Sequence, residues 1–374
     1  MKQLIFALAF AAALVVAAEP SGDRPDETHA WAVHDVNRPD PVKVEARPGV
    51  PPSDAIVLFD GTQTSVDRHW KDNDGGPSKW TVSEGAYVCT PGSGMTYTAE
   101  SYADCQLHVE FMTPVGDDEG LGNSGVFLMG CYEIQILDSS AVVPSKSPWK
   151  PANYSDGQAG AIYGQHPGLV NPCRKPGEWQ TYDIVFHPPR FADGKQVDTG
   201  SMTVFFNGVL VQDAWPLEGA TCWRLRAKTQ PTVSEGPVGL QDHGNPVPFR
   251  NIWIRRIPSR YAETTCGGPG VKREDVAKLR HELAAQSLAF ARGTDDPAER
   301  YVRLWESYCY EPDEQVRKQI DAASRDFVAA CRSGDPRIVE KKRIEPLRRF
   351  VEMLCRGGWL EKDSAVERAI QEIR

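Results

Sequence analysis

The residues best suited to chemistry lie in two short stretches. The first reads Gly122-Asn123-Ser124-Gly125-Val126-Phe127-Leu128 and then Tyr132-Glu133-Ile134-Gln135-Ile136-Leu137-Asp138-Ser139. In an extended strand Glu133 and Gln135 project from one face, while Ile134 and Ile136 enter an apolar side. Strict alternation would carry Asp138 to that apolar side, where an unpaired carboxylate is costly. A one-residue bulge near Leu137 would return it to the polar face. Two carboxylates and an amide would then line one groove, a set suited to proton transfer. The second stretch is Leu240-Gln241-Asp242-His243-Gly244, followed by Phe249-Arg250-Asn251-Ile252-Trp253. Gln241 and His243 share a face of what reads as the last hairpin, and Arg250 on the returning strand can reach the same face. His243 titrates near neutrality and is a further acid/base candidate. His166 and His187, in Gly/Pro-flanked loops, are weaker ones.

These stretches sit in a region of short strands. From Ala55 to Ile257 the runs Trp80–Cys89, Gln106–Met112, Gly125–Met129, Tyr132–Leu137, Thr181–Phe186, Met202–Phe206, Val209–Gln212, Val238–Asp242 and Phe249–Ile257 are divided by turn signals, with no helical stretch among them. Asn207-Gly208 between two alternating runs is a strong hairpin signal. The expected fold of residues 53–258 is therefore an antiparallel β-sandwich. Residues 271–374 are different: they hold 21 Lys and Arg and 20 Asp and Glu, but only 4 of the 32 Gly and 4 of the 29 Pro. Apolar stripes such as Tyr301, Leu304, Trp305 and Tyr308, or Val316, Ile320, Ala323 and Phe327, predict a smaller all-α region. Asp296-Pro297 and Asp335-Pro336 read as helix starts, Gly334 as a stop, and Pro346 as a kink or restart. No catalytic constellation is visible there. Its mixed charges read as a solvated surface, its role is unassigned, and a contact with a protein partner is open to it.

At the other end, Lys2 precedes an apolar run from Leu4 to Ala18. The pattern predicts a signal peptide over 1–18 and export to the periplasm or medium. The run is too short to span a bilayer, and no later segment is apolar enough. Residues 19–52, rich in proline, read as a linker or extended arm. The net charge of −9 argues against nucleic acid. Nine cysteines, an odd number without a C-x-x-C pair, leave room for one or two disulfides but not for a thiolate zinc site.

The landmarks Leu58-Phe59-Asp60-Gly61, Asn123-Ser124-Gly125-Val126, Tyr132-Glu133-Ile134-Gln135, Asp138-Ser139, Gly160-Ala161-Ile162-Tyr163, Gly177-Glu178-Trp179-Gln180, Asn207-Gly208, Leu240-Gln241-Asp242-His243-Gly244 and Phe249-Arg250-Asn251-Ile252-Trp253 occur in order. In this the chain resembles the 3-keto-disaccharide hydrolase family, also described as 3-keto-glucoside lyase/hydratase. The resemblance covers about Ala55 to Ile257, not the arm or the tail. It implies a concanavalin A-like, laminarinase-like jelly roll acting on sugars oxidised at C3. There the ketone acidifies the C2 proton, elimination across C1 and C2 expels the glycosidic oxygen, and hydration completes a net hydrolysis. By that resemblance Glu133, Asp138 and His243 are acid/base candidates and Arg250 a donor to the enolate. Gln135, Gln241 and Asn123 would orient hydroxyls, and Tyr163 and Trp179 would stack on a sugar ring. A divalent cation held by Glu133, Asp138 and His243 would also stabilise an enolate. Two alternatives stand beside this reading. Glu-x-Gln-x-x-Asp has nearly the outline of the Glu-x-Asp-x-x-Glu strand of laminarinase-like retaining glycosidases, although its middle carboxylate is an amide and its last side chain is shorter. A jelly roll can also bind glycans without turning them over.

Overall fold

The computed structural model describes residues 23–116, 122–140, 154–227, 231–259 and 273–373. The signal peptide expected over 1–18 lies outside them. In chain order the strands are β1 (Ile56–Phe59), β2 (Trp70–Asp72), β3 (Thr81–Ser83), β4 (Ala86–Val88), β5 (Thr96–Thr98), β6 (Cys105–Phe111), β7 (Ser124–Leu128), β8 (Tyr132–Ile136), β9 (Gln180–His187), β10 (Arg190–Ala192), β11 (Lys195–Asp198), β12 (Ser201–Phe206), β13 (Val209–Pro216), β14 (Gly239–Leu240) and β15 (Pro248–Arg256). Lys43–Ser259 forms one compact unit; the C-terminal helices and residues up to Val42 form the other.

Within the first unit the strands make an antiparallel β-sandwich. One sheet runs β13-β12-β9-β6-β15-β4-β3, with β1 also on β15; the other runs β2-β5-β14-β7-β8. Their facing sides alternate with polar outer sides, as β6 shows by burying every second residue. Leu107, Val109, Phe111, Ile184, Phe249 and Ile254 meet Val126, Leu128, Tyr132, Ile134, Ile136 and Leu240 in one core. Tyr182 donates its hydroxyl across the sandwich to the Gln135 carbonyl at 2.6 Å. That bond ties β9 to β8 and fixes the strand that carries Glu133. At Asn207-Gly208 both residues have positive φ, 52° and 78°, the backbone that a tight right-twisted hairpin requires.

The expectation of a helix-free sandwich fails at α1 (Gln63–His69), where the Thr62 hydroxyl accepts from the Ser65 N–H and starts the helix. The room for one or two disulfides goes unused among the described residues, whose eight cysteines are all free. Most are held in separate parts of the two cores, Cys105 on β6 and Cys331 within a helix, for example.

The second unit contains α2 (Arg273–Gly293), α3 (Pro297–Tyr310), α4 (Glu314–Ser333), α5 (Pro336–Val339), α6 (Lys341–Arg356) and α7 (Ala365–Glu372). Asp296 and Asp335 cap α3 and α5 with proline next in line, and Gly334 closes α4 in the left-handed region. Instead of breaking the chain, Pro346 lies inside α6. The proline-rich arm is less free than its composition suggests. Residues from 23 on pack against these helices: Ala30 is fully buried, Asn37 donates to Tyr310 at 2.8 Å, and Tyr310 donates to Asp35 at 2.7 Å. Among the described residues no helix is long and apolar enough to cross a membrane.

Candidate active site

The outward face of the five-stranded sheet gathers most of the candidate residues. β7 and β8 pair without a register shift, placing Gly125 opposite Gln135 and Phe127 opposite Glu133. β14 pairs on the other side of β7, with Gly239 opposite Phe127. The Gln241 N–H then donates to the Gly125 carbonyl at 3.0 Å, which brings Gln241 level with Gly125. Beyond β8, the Gln135 N–H donates to Ala161 and the Tyr163 N–H to the Glu133 carbonyl. Two rows therefore cross the sheet, Gln241–Gly125–Gln135–Ala161 and Gly239–Phe127–Glu133–Tyr163. With strands about 4.8 Å apart, Gln241 and Gln135 stand about 10 Å apart across a glycine floor. Asn123, one alternation before Gly125, falls at the edge of the same face.

Gly125 shapes this floor. A Cβ there would lie 2.6 Å from Glu133 Oε1 and 3.0 Å from the Phe127 ring, so a side chain at this position would displace the carboxylate from where it leans over β7. Glu133 is 4% exposed, and its carboxylate has no hydrogen-bond or ionic partner among the described residues. With Phe127 beside it and water largely excluded, desolvation pushes its pKa up to about 8. Gln135 Oε1 and Gln241 Oε1 are also buried without a partner among the described residues. Such orphaned acceptors are expensive unless a ligand supplies the donors. Tyr163, next to Glu133 in its row, shares a 3.0 Å hydrogen bond with the Tyr154 hydroxyl. Burial raises its pKa further above the ordinary phenol value, with smaller contributions from Tyr154 and Glu133.

Two candidates follow the ends of these strands, outside the two rows, and two lie across the sandwich. β8 ends at Ile136 without the expected bulge, so Asp138 lies in an irregular turn, where its carboxylate accepts from the Ser140 N–H and hydroxyl. His243 is exposed in the bend after β14. Arg250 is on the other sheet altogether, and Trp179 lies in the loop that leads into β9 of that sheet. β14 and β15 do not form a hairpin: the first pairs with β5 and β7, the second with β6, β4 and β1. Arg250 projects from the outer side of β15, donates to Glu110 at 2.7 Å, and lays its guanidinium 4.0 Å from the Trp179 ring centroid. The sandwich core separates that cluster from Glu133.

Residues 54–255 match the 3-keto-alpha-glucoside-1,2-lyase-like domain. The chain belongs to this family. A 3-keto-disaccharide hydrolase of Bacteroides thetaiotaomicron is 24% identical over 238 residues, covering 54% of this chain and 77% of that protein. A solved structure from Parabacteroides distasonis, described as a candidate glycosyl hydrolase, is 36% identical. It covers 60% of this chain and 94% of its own, with a TM-score of 0.53. In this family member, sequence reasoning missed the spatial roles of Gly125 and Phe127, which set the room and the dryness around Glu133. Their opposition to Gln135 and Glu133 was available from pairing the two runs antiparallel. The metal set does not assemble. Among the described residues no three His, Cys, Asp or Glu side chains come together to hold a cation, and Glu133 is raised by burial alone. Glu133, Asp138 and His243 therefore do not fit a divalent ion as a group.

Proposed function

We propose that this chain is an exported glycan-cleaving enzyme that acts on 3-keto-glycosides by elimination across C1 and C2, followed by hydration. The observation that carries the reading is Glu133, a dry, unpartnered carboxyl with a pKa of about 8 over a glycine floor. A desolvated carboxylate is a stronger base than an exposed one, which suits removal of a proton made acidic by the neighbouring ketone. Glu133 takes the C2 proton, and the electron pair moves into the enolate. It then forms the C1–C2 double bond as the C1–O bond breaks. The departing oxygen needs a proton, and in this reading Tyr163, which neighbours Glu133 across the sheet and is kept in its phenol form by burial, gives it. The Gln135 and Gln241 amides offer donors to the enolate and acceptors to sugar hydroxyls. Water adding across the double bond completes the net hydrolysis.

Direct double displacement is less well supported. It requires two carboxylates about 5–5.5 Å apart. Here Glu133 has Gln135 as its neighbour, and Asp138 is engaged with Ser140. An assay on a 3-keto-disaccharide beside the unoxidised sugar separates the readings. Release from the keto sugar alone supports elimination. Release from both supports a glycosidase, and binding without turnover supports a glycan-binding module. Export rests on the leader over 1–18. Mass spectrometry of protein from the producing cell should find a mature N-terminus at Glu19 outside the cytoplasm; a cytoplasmic chain starting at Met1 would sink that part.

A further inference from the structure

The loop between β13 and β14 carries two of the most exposed large apolar side chains among the described residues, Trp223 at 67% and Leu225 at 71%. This loop is anchored at the site. The Thr221 N–H donates to the Cys131 carbonyl at 2.8 Å, and its hydroxyl accepts from the Glu133 N–H at 3.0 Å. The Cys222 carbonyl lies 3.7 Å from where a Gly164 Cβ would be, next in sequence to Tyr163. Gln165 holds the approach to the loop, donating to the Gly219 carbonyl at 2.9 Å and accepting from the Glu218 N–H at 2.8 Å. Trp223 follows the Glu133 anchor by two residues, at most about 7 Å of chain. The Arg224 guanidinium sits 4.5 Å from its ring centroid, on a backbone with a φ of 57°. One ring face is thus covered by a cation, while the side chain as a whole stays 67% exposed.

We propose that Trp223 is the platform on which the leaving-group sugar of a disaccharide stacks. An exposed indole at a ligand groove marks an interaction surface. A pyranose ring, with an apolar C–H face and a hydroxyl edge, matches such an amphipathic plate. The leaving ring is the occupant because the keto ring must lie over Gly125, within reach of Glu133, Gln135 and Gln241. Trp223 stands one step further out, past the Thr221 edge of β8. This assignment rests on the elimination reading for the identity of the two rings.

The test measures binding and turnover separately. Binding is read by calorimetry on Glu133→Gln protein with a 3-keto-disaccharide and with the methyl 3-keto-glucoside. Adding Trp223→Ala should weaken the disaccharide about tenfold and leave the methyl glycoside unchanged, while Trp223→Phe stays within about threefold of the parent. Equal affinities with and without Trp223, equal losses for both ligands, or no disaccharide binding at all would overturn the platform. Turnover by the wild-type enzyme of the 3-keto-disaccharide, and not of the unoxidised sugar, tests the other claim. A binding split without turnover removes the elimination reading and keeps the platform; turnover without a split does the reverse.

Discussion

Glu133→Gln should lower kcat/KM on a 3-keto-disaccharide by about two orders of magnitude or more, the usual consequence of losing a positioned base. The substitution keeps the shape and the strand position but removes the ionisable oxygen. In the wild-type enzyme the base form is scarce at neutral pH, because desolvation holds the carboxyl at about 8. The kcat/KM profile should therefore rise with pH and level off above about 8, after subtraction of the uncatalysed rate. The variant should show no such rise. Arg250→Ala is the internal control. Arg250 pairs with Glu110 on the far side of the core, so its loss should leave kcat/KM within about threefold of wild type. A profile that is flat or falling through pH 8, or a Glu133→Gln enzyme with near-normal rates, would remove Glu133 from the role of base.

The part of this site legible in the sequence is the part governed by local periodicity. Tyr132-Glu133-Ile134-Gln135-Ile136 alternates so strictly, with a core on one side, that only one face could carry the polar pair. Asn207-Gly208 and Asp296-Pro297 are legible because their turn and cap chemistry is complete within a few residues. Arg250 is misplaced by sequence reasoning for a different reason. Alternation says which residues of one strand share a face, but not to which of two sheets that strand belongs. Between β14 and β15 the chain changes sheets, so Gln241 faces the groove and Arg250 faces outward on the far side. Asp138 illustrates the limit at a strand end. A periodic argument extends the strand by a bulge, while the chain leaves the sheet after Ile136 and satisfies the carboxylate on Ser140. β2 and β5 have three residues each, too few to show a period. The arm shows a third limit. Its prolines prevent regular structure, but they do not prevent Asp35 and Asn37 from joining a buried network with Tyr310.

The same carboxyl that makes the site reactive should make the fold weaker as pH rises. Its folded value is about 8 and its ordinary value 4.5, so the folded protein holds this proton over a range where the unfolded chain has released it. Below about 4.5 both states are protonated and Glu133 carries no ionisation penalty. As pH rises towards 8 the unfolded state gains by ionising and stability falls; above 8 both states are ionised and the deficit is constant. The difference corresponds to about 5 kcal/mol at most, because each pH unit between the two values is worth about 1.4 kcal/mol. The amide introduced by Glu133→Gln does not titrate. The variant should therefore melt about 5–10 °C above wild type at pH 9, with the gap closing towards pH 4. Comparing the two proteins at each pH cancels the titration of every other group, including the paired carboxylates of Asp104 and Glu110. A gap that does not change with pH would mean that the wild-type carboxylate is solvated or paired in the folded state. The dry, unpartnered site on which the assignment of the base depends would then be absent. Activity lost and stability gained together in one substitution, each following the same ionisation, is the combined signature expected of a carboxyl kept out of water for catalysis.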